Sequence, residues 1–369
     1  MPAEIIIYTL SISFVIQFLY YTGIYSRVLI TVKNLGNKKD LPPLSVIIST
    51  NNEADNVQNF LPLILNQDYN KFELIVVNDR STDKTQDILN QFQEIYNNLK
   101  VIIINELSEK ISGKKNALTK AIETAKHEHL IFTDADCYPV SKNWLRTIAN
   151  SYTKKTEIVI GYGGYEKQKG FLNKIIRFET LFNAMQYMSF ALLGFPYMGV
   201  GRNLSYKKSL FLQNNGFSTH KKITSGDDDL FINKTANKKN TEVLINNESI
   251  TISIPKTKFK DYLKQKRRHL STGKYYKQKH KLLLGTEILS RFFFYIGIIF
   301  SLFFQKFNEI ALIMYSVKLL SIFIITKSFS GKLKEKHNLF FIPIFDILIP
   351  VINLFIYIST LFNNKIEWK

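Results

Sequence analysis

A disulfide needs two cysteines, and this chain of 369 residues has one, Cys137. No internal cross-link can hold the fold, and nothing in the sequence gives Cys137 a chemical role. Acidic residues are scarce beside basic ones, 30 against 49, for a formal charge of +19. Such a surplus suits nucleic acid, an anionic membrane surface or a phosphorylated substrate. Nucleic acid is set aside: the lysines are spread over linkers and loops, no nucleic-acid motif is present, and the aromatic residues crowd into apolar segments. Charge is missing altogether from residues 5–25, IIIYTLSISFVIQFLYYTGIY. That run is long enough to cross a hydrocarbon layer of roughly 30 Å. It also lacks the basic start and small-residue end of a cleavable signal, so it reads as a retained anchor.

The mean hydropathy of −0.05 conceals a segregated chain, because 46% of residues are apolar and they gather towards the two ends. Three apolar blocks, 288–304, 309–326 and 339–362, predict three C-terminal membrane helices. Residues 1–26 are then an N-terminal anchor, 41–281 a soluble domain and 285–362 the C-terminal helices. Lysines in KSFSGKLKEKHN, between the second and third blocks, and in the middle domain place that domain in the cytoplasm by the positive-inside rule, with the N-terminus and the tail NNKIEWK outside. Lys318 and Asp346 fall at similar depth on neighbouring helices. Either they pair, or Lys318 snorkels and Asp346, between Pro343 and Pro350, lines a helix break.

The basic linker ends at Pro42 and Pro43, and a new pattern begins. LSVIIST, FELIVVND, KVIIINE and HLIFTDAD are short β-rich runs separated by helical stretches such as KTQDILNQF and KNALTKAIETAK. Alternation of this kind predicts an α/β fold on a mainly parallel sheet. Ligands in such sheets sit beyond the carboxyl ends of the strands, so Asn51 to Glu53, Asp79 and Asp134 to Asp136 form the expected rim. Phe171 to Phe195 is apolar but broken by Lys174, Arg177 and Glu179, which predicts an amphipathic helix rather than a span.

Asp134 and Asp136 stand two apart at the end of an extended run and so point to one side. Two such carboxylates can share a hard cation, Mg²⁺ or Mn²⁺, which commonly bridges carboxylates to substrate phosphates and steadies a diphosphate leaving group. Asp79 follows a strand with an acceptor suited to a base or ribose, while Asp83 reads as a cap for the next helix. Gly113 and Lys114 precede a helix without the GxxxxGK[ST] spacing, so they form no phosphate loop of that kind, though the lysine can reach a diphosphate.

Taken in order, STNNE, VVNDRSTD, SGKKNALTKA, FTDAD, SGDDDLF and QKRRH resemble the family 2 glycosyltransferases, a group with a GT-A, Rossmann-like nucleotide-sugar fold. The resemblance covers roughly residues 43–275. It implies that Glu53 and Asp79 hold the nucleotide, that Lys114 lies near it, and that Asp134 and Asp136 bind the metal. Asn78 stands where an aspartate is frequent. In SGDDDLF, Asp227 and Asp228 match the family's acidic pair, whose second member takes the proton of the acceptor hydroxyl. Asp228 is the expected base; a one-residue shift of register makes it Asp227, and all three aspartates also suit an acidic helix start. Gln265 and Arg268 match a QxxRW pattern that grips phosphate, but His269 replaces its tryptophan, an apolar platform for an acceptor sugar. Gly201, Arg202 and Asn203 follow an aromatic loop that can shape the acceptor pocket.

The resulting expectation is an inverting, metal-dependent enzyme of the cell envelope. Its donor would be a nucleotide-sugar, a UDP-sugar before a GDP-sugar, and its acceptor a hydroxyl on a lipid or lipid-linked molecule, since a domain tethered at both ends meets amphiphiles already in the membrane. Two alternatives stand beside it. One is a processive polysaccharide synthase, for which four helices make a thin channel lining. The other is an inactive membrane scaffold, which would not need every acidic position the chemistry demands.

Overall fold

The computed structural model describes residues 2–30, 38, 40–106, 111, 113–303, 307–335 and 339–362. The tail NNKIEWK and the end of the KSFSGKLKEKHN loop lie outside them. The chain opens with α1 (Pro2–Leu19), a π-helical turn (Tyr20–Tyr25) and α2 (Arg27–Ile30). Then follow β1 (Leu44–Thr50), α3 (Ala54–Leu65), β2 (Phe72–Asp79), α4 (Thr85–Ile95), β3 (Leu99–Ile104), α5 (Gly113–Thr124) and β4 (His129–Phe132). Next come β5 (Cys137–Pro139), α6 (Trp144–Ser151), β6 (Ile158–Ile160), β7 (Gly163–Tyr165), α7 (Phe171–Leu192), β8 (Leu204–Lys207), α8 (Lys208–Gln213) and α9 (Asp229–Thr235). The last elements are β9 (Thr241–Val243), β10 (Thr251–Ser253), α10 (Phe259–Leu270), α11 (Gln278–Ser301), α12 (Asn308–Lys332) and α13 (Ile342–Phe362).

Seven strands form the main sheet in the order β3-β2-β1-β4-β8-β6-β9. The first four are parallel, with Leu44 opposite both Phe72 and His129. β8 runs antiparallel between β4 and β6, so the sheet is mixed at that edge. A smaller sheet, β5-β10-β7, lies beside it. β-branched runs bounded by helices produce this arrangement because both faces of a parallel sheet are covered. Alternate residues of β1 go to opposite cores: Val46 and Ile48 pack with α3 and α6, Ile47 with α5.

The core on the Ile47 side does not stop at the sheet. It continues through α7 (Ile175, Phe178, Met185) to Tyr21 and Tyr25, then to Ile322 and Phe329 of α12 and Phe345 of α13. The charge-broken apolar stretch is thus one helix layered between the sheet domain and the long apolar helices, with catalytic-side and membrane-side residues in one cluster. Four helical segments, Glu4–Ile30, Gln278–Ser301, Asn308–Lys332 and Leu339–Ser359, are long and apolar enough to cross a membrane.

Inside this bundle four charges balance. Lys318 Nζ lies 2.5 Å from Asp346 Oδ2, and Arg291 Nη1 lies 3.3 Å from Asp346 Oδ1. Arg291 also pairs with Glu287 one turn earlier, and the Tyr295 hydroxyl donates to Asp346. Lys318 is fully buried, so of the two readings of its sequence it pairs rather than snorkels. Gln17 on α1 donates to the Glu287 carbonyl at 3.0 Å and to Ser290 Oγ at 2.8 Å, tying the anchor to the cluster. Removing one member leaves an uncompensated charge in an apolar surround, at a cost of about 3–5 kcal/mol. Asp346→Ala is therefore expected to lower the thermal midpoint of the detergent-purified protein sharply. Lys318→Met combined with Asp346→Ala, which leaves the Glu287 and Arg291 pair neutral, is expected to recover most of that loss in the same melt.

Candidate active site

The loops that leave β1 and β2 interlock at the rim of the sheet. Asn52 and Arg80 both take left-handed backbone, φ 55° and 58°, a conformation uncommon outside glycine. Asn52 Oδ1 accepts from the Thr82 amide at 2.8 Å, and its amide donates to Ser81 Oγ at 2.9 Å. Asp83 accepts from the amides of Thr85 (3.0 Å) and Ala54 (3.1 Å), so it serves the starts of α4 and α3 together. The Asp79 carboxylate is taken by its neighbour Arg80, at 2.8 and 3.1 Å, and stands back from the cavity wall. Glu53 reaches that wall and accepts from Asn56 Nδ2 at 2.6 Å.

β4 ends at Phe132, and the turn after it carries Asp134 and Asp136 into a cavity of about 2130 Å³. Lys114, in the first turn of α5, places its Nζ 2.8 Å from Asp134 Oδ1 and 3.2 Å from Asp227 Oδ2. Burial alone would push this ammonium down, but the carboxylates of Asp134, Asp227 and Asp228 outweigh it and hold Lys114 charged far above its ordinary range. Burial and the nearby Asp134 raise Asp136 above the usual carboxylate range. A pair of oxygen ligands with unspent mutual repulsion fits a divalent cation. Cys137 lies close enough to complete a three-residue cluster. Its thiol, however, is raised well above normal by burial and then by Asp136, and it lies 3.3 Å from Asp136 Oδ1 and 2.8 Å from Ser253 Oγ. Hard Mg²⁺ or Mn²⁺ prefers oxygen to sulfur, so the cation would rest on Asp134 and Asp136.

Gly226, at φ 94°, opens the other half of the site; a Cβ there would meet Leu230 at 2.5 Å. Lys115 is buried under α5 and donates to the carbonyls of Ser225, at 2.6 Å, and Ile223, which fixes the loop entering Asp227. The three aspartates that follow have separate work. Asp227 pairs with Lys114; burial opposes ionisation, but Lys114 and Lys115 hold it below the usual carboxylate range. Asp229 is spent on structure, accepting from Thr272 Oγ1 at 2.5 Å and Tyr276 Oη at 2.8 Å. Asp228 caps α9 through the Asp229 amide at 2.8 Å and accepts the Gly201 amide at 2.7 Å. Burial, then the charges of Asp227 and Asp229, push it up to about 7.

Arg202 lies under the same cavity, its guanidinium 4.3 Å from the Tyr165 ring centre and donating to the Gly164 carbonyl at 3.2 Å. Burial works against its charge, but Tyr165, Cys137 and the two carboxylates of Asp134 and Asp136 keep it firmly protonated. On α10, Gln265 (donating to Tyr165 Oη at 3.3 Å), Arg268 and His269 line the cavity. Burial and the cations around it, Arg268 first, keep the His269 imidazole neutral. Sequence reasoning read Glu179 only as a break in an apolar stretch; its carboxylate gathers Lys266 Nζ (2.7 Å), Tyr262 Oη (2.8 Å) and Asn353 Nδ2 (3.1 Å) and so seats α10 against α7 and α13. A buried charge within an apolar stretch was the signal for it. The Gly201 amide had none, being backbone.

An open, mainly parallel sheet with carboxylates gathered beyond its strand ends is the GT-A nucleotide-sugar-binding architecture. It is shared with a mannosyltransferase from Pyrobaculum calidifontis solved with GDP-Man and Mn²⁺ (TM-score 0.60, 18% identity, 90% of this chain and 99% of that one). The family model "Glycosyl transferase family 2" matches residues 45–211, and "Glycosyl transferase family group 2" matches 129–361. The chain belongs to glycosyl transferase family group 2. Among curated relatives it is similar to glycosyltransferase AglE of Haloferax volcanii, 38% identical over 107 residues (28% of this chain, 34% of AglE). It is also similar to poly-beta-1,6-N-acetyl-D-glucosamine synthase of Staphylococcus epidermidis, 30% identical over 131 residues (34% of this chain, 30% of the synthase). The chain spans only about a third of the length of these two relatives.

The assignment of oxygen ligands has a direct check in Mn²⁺ binding with nucleoside diphosphate present, followed by electron paramagnetic resonance. Asp136→Ala is expected to abolish it. Cys137→Ser, which keeps a donor beside Asp136, is expected to leave the dissociation constant within about twofold.

Proposed function

We propose that the protein transfers a sugar, with inversion, from a nucleoside diphosphate sugar to a hydroxyl of a lipid or lipid-linked acceptor at the cytoplasmic face of the membrane. The observation that carries this reading is Asp228. It is a half-buried carboxylate with a proton affinity near neutrality, on the same cavity as Asp134, Asp136, Lys114 and Arg202. A general base works best when its pKa lies near the operating pH. Asp227 stays ionised against Lys114 and Asp229 is committed to Thr272 and Tyr276, which leaves Asp228 as the group to accept a proton. Neighbouring carboxylates whose surroundings push their proton affinities apart mark the division of roles.

In this reaction the acceptor oxygen forms a bond to the anomeric carbon from the face opposite the diphosphate. The bond from that carbon to the phosphate oxygen breaks, the hydroxyl proton goes to Asp228, and nucleoside diphosphate leaves. Lys114 and Arg202 supply fixed positive charge on the leaving-group side, an arrangement that stabilises charge developing in the transition state. Asp134 and Asp136 would hold Mg²⁺ or Mn²⁺, which when bound adds charge for the diphosphate. Glu53, Gln265 and Arg268, on the cavity wall, are the groups proposed to hold the donor. Asp79 would join them only by releasing Arg80.

Support for the acceptor class comes from the cavity itself, which runs from the aspartates to side chains of α11 and α13. Lys332 and Lys334, at the end of α12 that meets the domain through the bond from Tyr162 to Glu335, support the cytoplasmic orientation. A second reading, repeated transfer to a growing glycan, draws on the similarity to a polysaccharide synthase; product length after incubation with sugar nucleotide separates it from single transfer. His269, neutral where an apolar platform for a sugar is usual, supports the single transfer.

For the leading reading, kcat/KM should rise with pH through a single ionisation near 7, because Asp228 is protonated and idle below it and ionised above it. Asp228→Asn is expected to cost about 10²–10⁴ in kcat and to flatten that limb. Nuclear magnetic resonance of the product should show the anomeric configuration opposite to that of the donor; retention would overturn the mechanism.

A further inference from the structure

The long cavity has an opening that the transfer chemistry does not need. Beyond the polar floor its walls are Phe182 of α7, Leu284, Ile288 and Leu289 of α11, and Ile352 and Phe355 of α13. Three of these also face outward: Ile288 is 50% exposed, Leu289 57% and Phe355 69%. A side chain that both lines a cavity and is half exposed marks its mouth. This mouth therefore opens sideways, between two helices that are each apolar enough to cross a membrane.

The packing explains why a cleft persists there. α11 is held away on one side by α1, through Gln17 bonded to the Glu287 carbonyl and Ser290. α13 is held on the other side by the catalytic domain: Phe345 packs tilted against Phe178 with ring centres 5.1 Å apart, Asn353 donates to Glu179, and the Ser359 carbonyl accepts from Arg267 at 2.7 Å. Across the gap the two helices meet through Arg291 and Asp346 near its inner end. Along the cleft Leu284, Ile288 and Leu289 of α11 and Ile352 and Phe355 of α13 make up the apolar part of the walls, with Glu287 and Asn353 among them.

We infer that the cleft between α11 and α13 is a lateral portal, in which a long-chain amphiphile lodges its hydrocarbon chain between Leu289 and Phe355 while its polar head reaches Asp228. Continuity identifies the occupant: apolar side chains of α11 and α13 line the same cavity as the reacting groups, and Ile288, Leu289 and Phe355 emerge where lipid chains would lie. The inference rests on the lipid-acceptor reading and adds the path of entry and the side chains that select the chain.

The probe is a hexadecyl glucoside carrying a diazirine midway along its chain, photolysed with the full-length protein in phosphatidylcholine nanodiscs and mapped by peptide mass spectrometry. Label is expected on residues 284–289 and 352–355, cut at least fivefold by excess unlabelled hexadecyl glucoside. Label on Leu312 of α12, 64% exposed and remote from the cleft, should not respond to the competitor. In parallel, membranes given radiolabelled UDP- and GDP-sugars should form an organic-extractable glycolipid. Leu289→Trp should lower the ratio of lipid transfer to sugar-nucleotide hydrolysis at least fivefold, and Leu312→Trp should leave it unchanged. Glycolipid formation with uncompeted, evenly spread label, or with no effect of Leu289→Trp, overturns the portal and leaves the acceptor reading standing. Hydrolysis without any glycolipid overturns both.

Discussion

The contact on which the site depends is Lys114 between Asp134 and Asp227. One carboxylate belongs to the strand-end turn after β4, the other to the loop that leads into α9. Without a cation between them, five aspartates would face one cavity in a partly dehydrated setting, where repulsion between like charges raises proton affinity and splays the groups apart. Lys114 sits at the start of α5, the helix that crosses from β3 to β4, so the sheet topology delivers it to the rim. Lys115, next along, fixes the loop before Asp227 from beneath. The two residues make the halves of the cavity one electrostatic unit: Asp227 is held below the usual carboxylate range, and the raised proton affinity falls on Asp136 and Asp228.

A second set of charges joins this domain to the apolar helices. Glu179 looks expensive, being a carboxylate buried in a helix whose core neighbours are Phe178 and Leu181. It is satisfied by three donors from α10 and α13, and burying a charge is tolerable only under such full pairing. The result is directional. α10, which carries Gln265, Arg268 and His269, cannot shift without pulling on α13. The ion cluster of Arg291, Glu287, Lys318 and Asp346 fixes the far side of the same helices. Catalytic rim and bundle are therefore coupled through side chains as well as through the core shared by α7.

Much of this was legible in the sequence. The four parallel strands follow from β-branched runs, since residues buried on both faces of a sheet have little freedom to be polar, and the four long apolar helices follow from the cost of charge in hydrocarbon. Lys318 and Asp346 were marked by the same cost. What was not legible depends on tertiary placement. The antiparallel insertion of β8 between β4 and β6 leaves no local pattern, because short strands of three or four residues show too little periodicity. Arg80, in left-handed conformation, turns back onto Asp79, a pairing that the place of Asp79 at a strand end does not reveal. Three consecutive aspartates could not be told apart by spacing. Their partners separate them, and those partners come from α5, from the loop at Gly201 and from the turn before α11.

Asp228 shows how one side chain can cap a helix and still be placed to take a proton. Each carboxylate oxygen has two lone pairs. Oδ1 spends one on the Asp229 amide and Oδ2 one on the Gly201 amide, leaving a lone pair on each. Hydrogen bonds to the charged form favour it, so the Gly201 amide works against the burial and the two flanking aspartates that raise Asp228. Burial and the two flanking aspartates alone would carry the group higher still. With Lys114 and the Gly201 amide opposing, the balance falls near 7, where a carboxylate is ionised in a useful fraction of molecules and is still basic enough to hold a proton once it takes one. That compromise rests on close backbone approach at residue 201, where a Cβ would stand 3.3 Å from Asp228 Oδ2 and the carboxylate would have to give by a few tenths of an ångström to admit it.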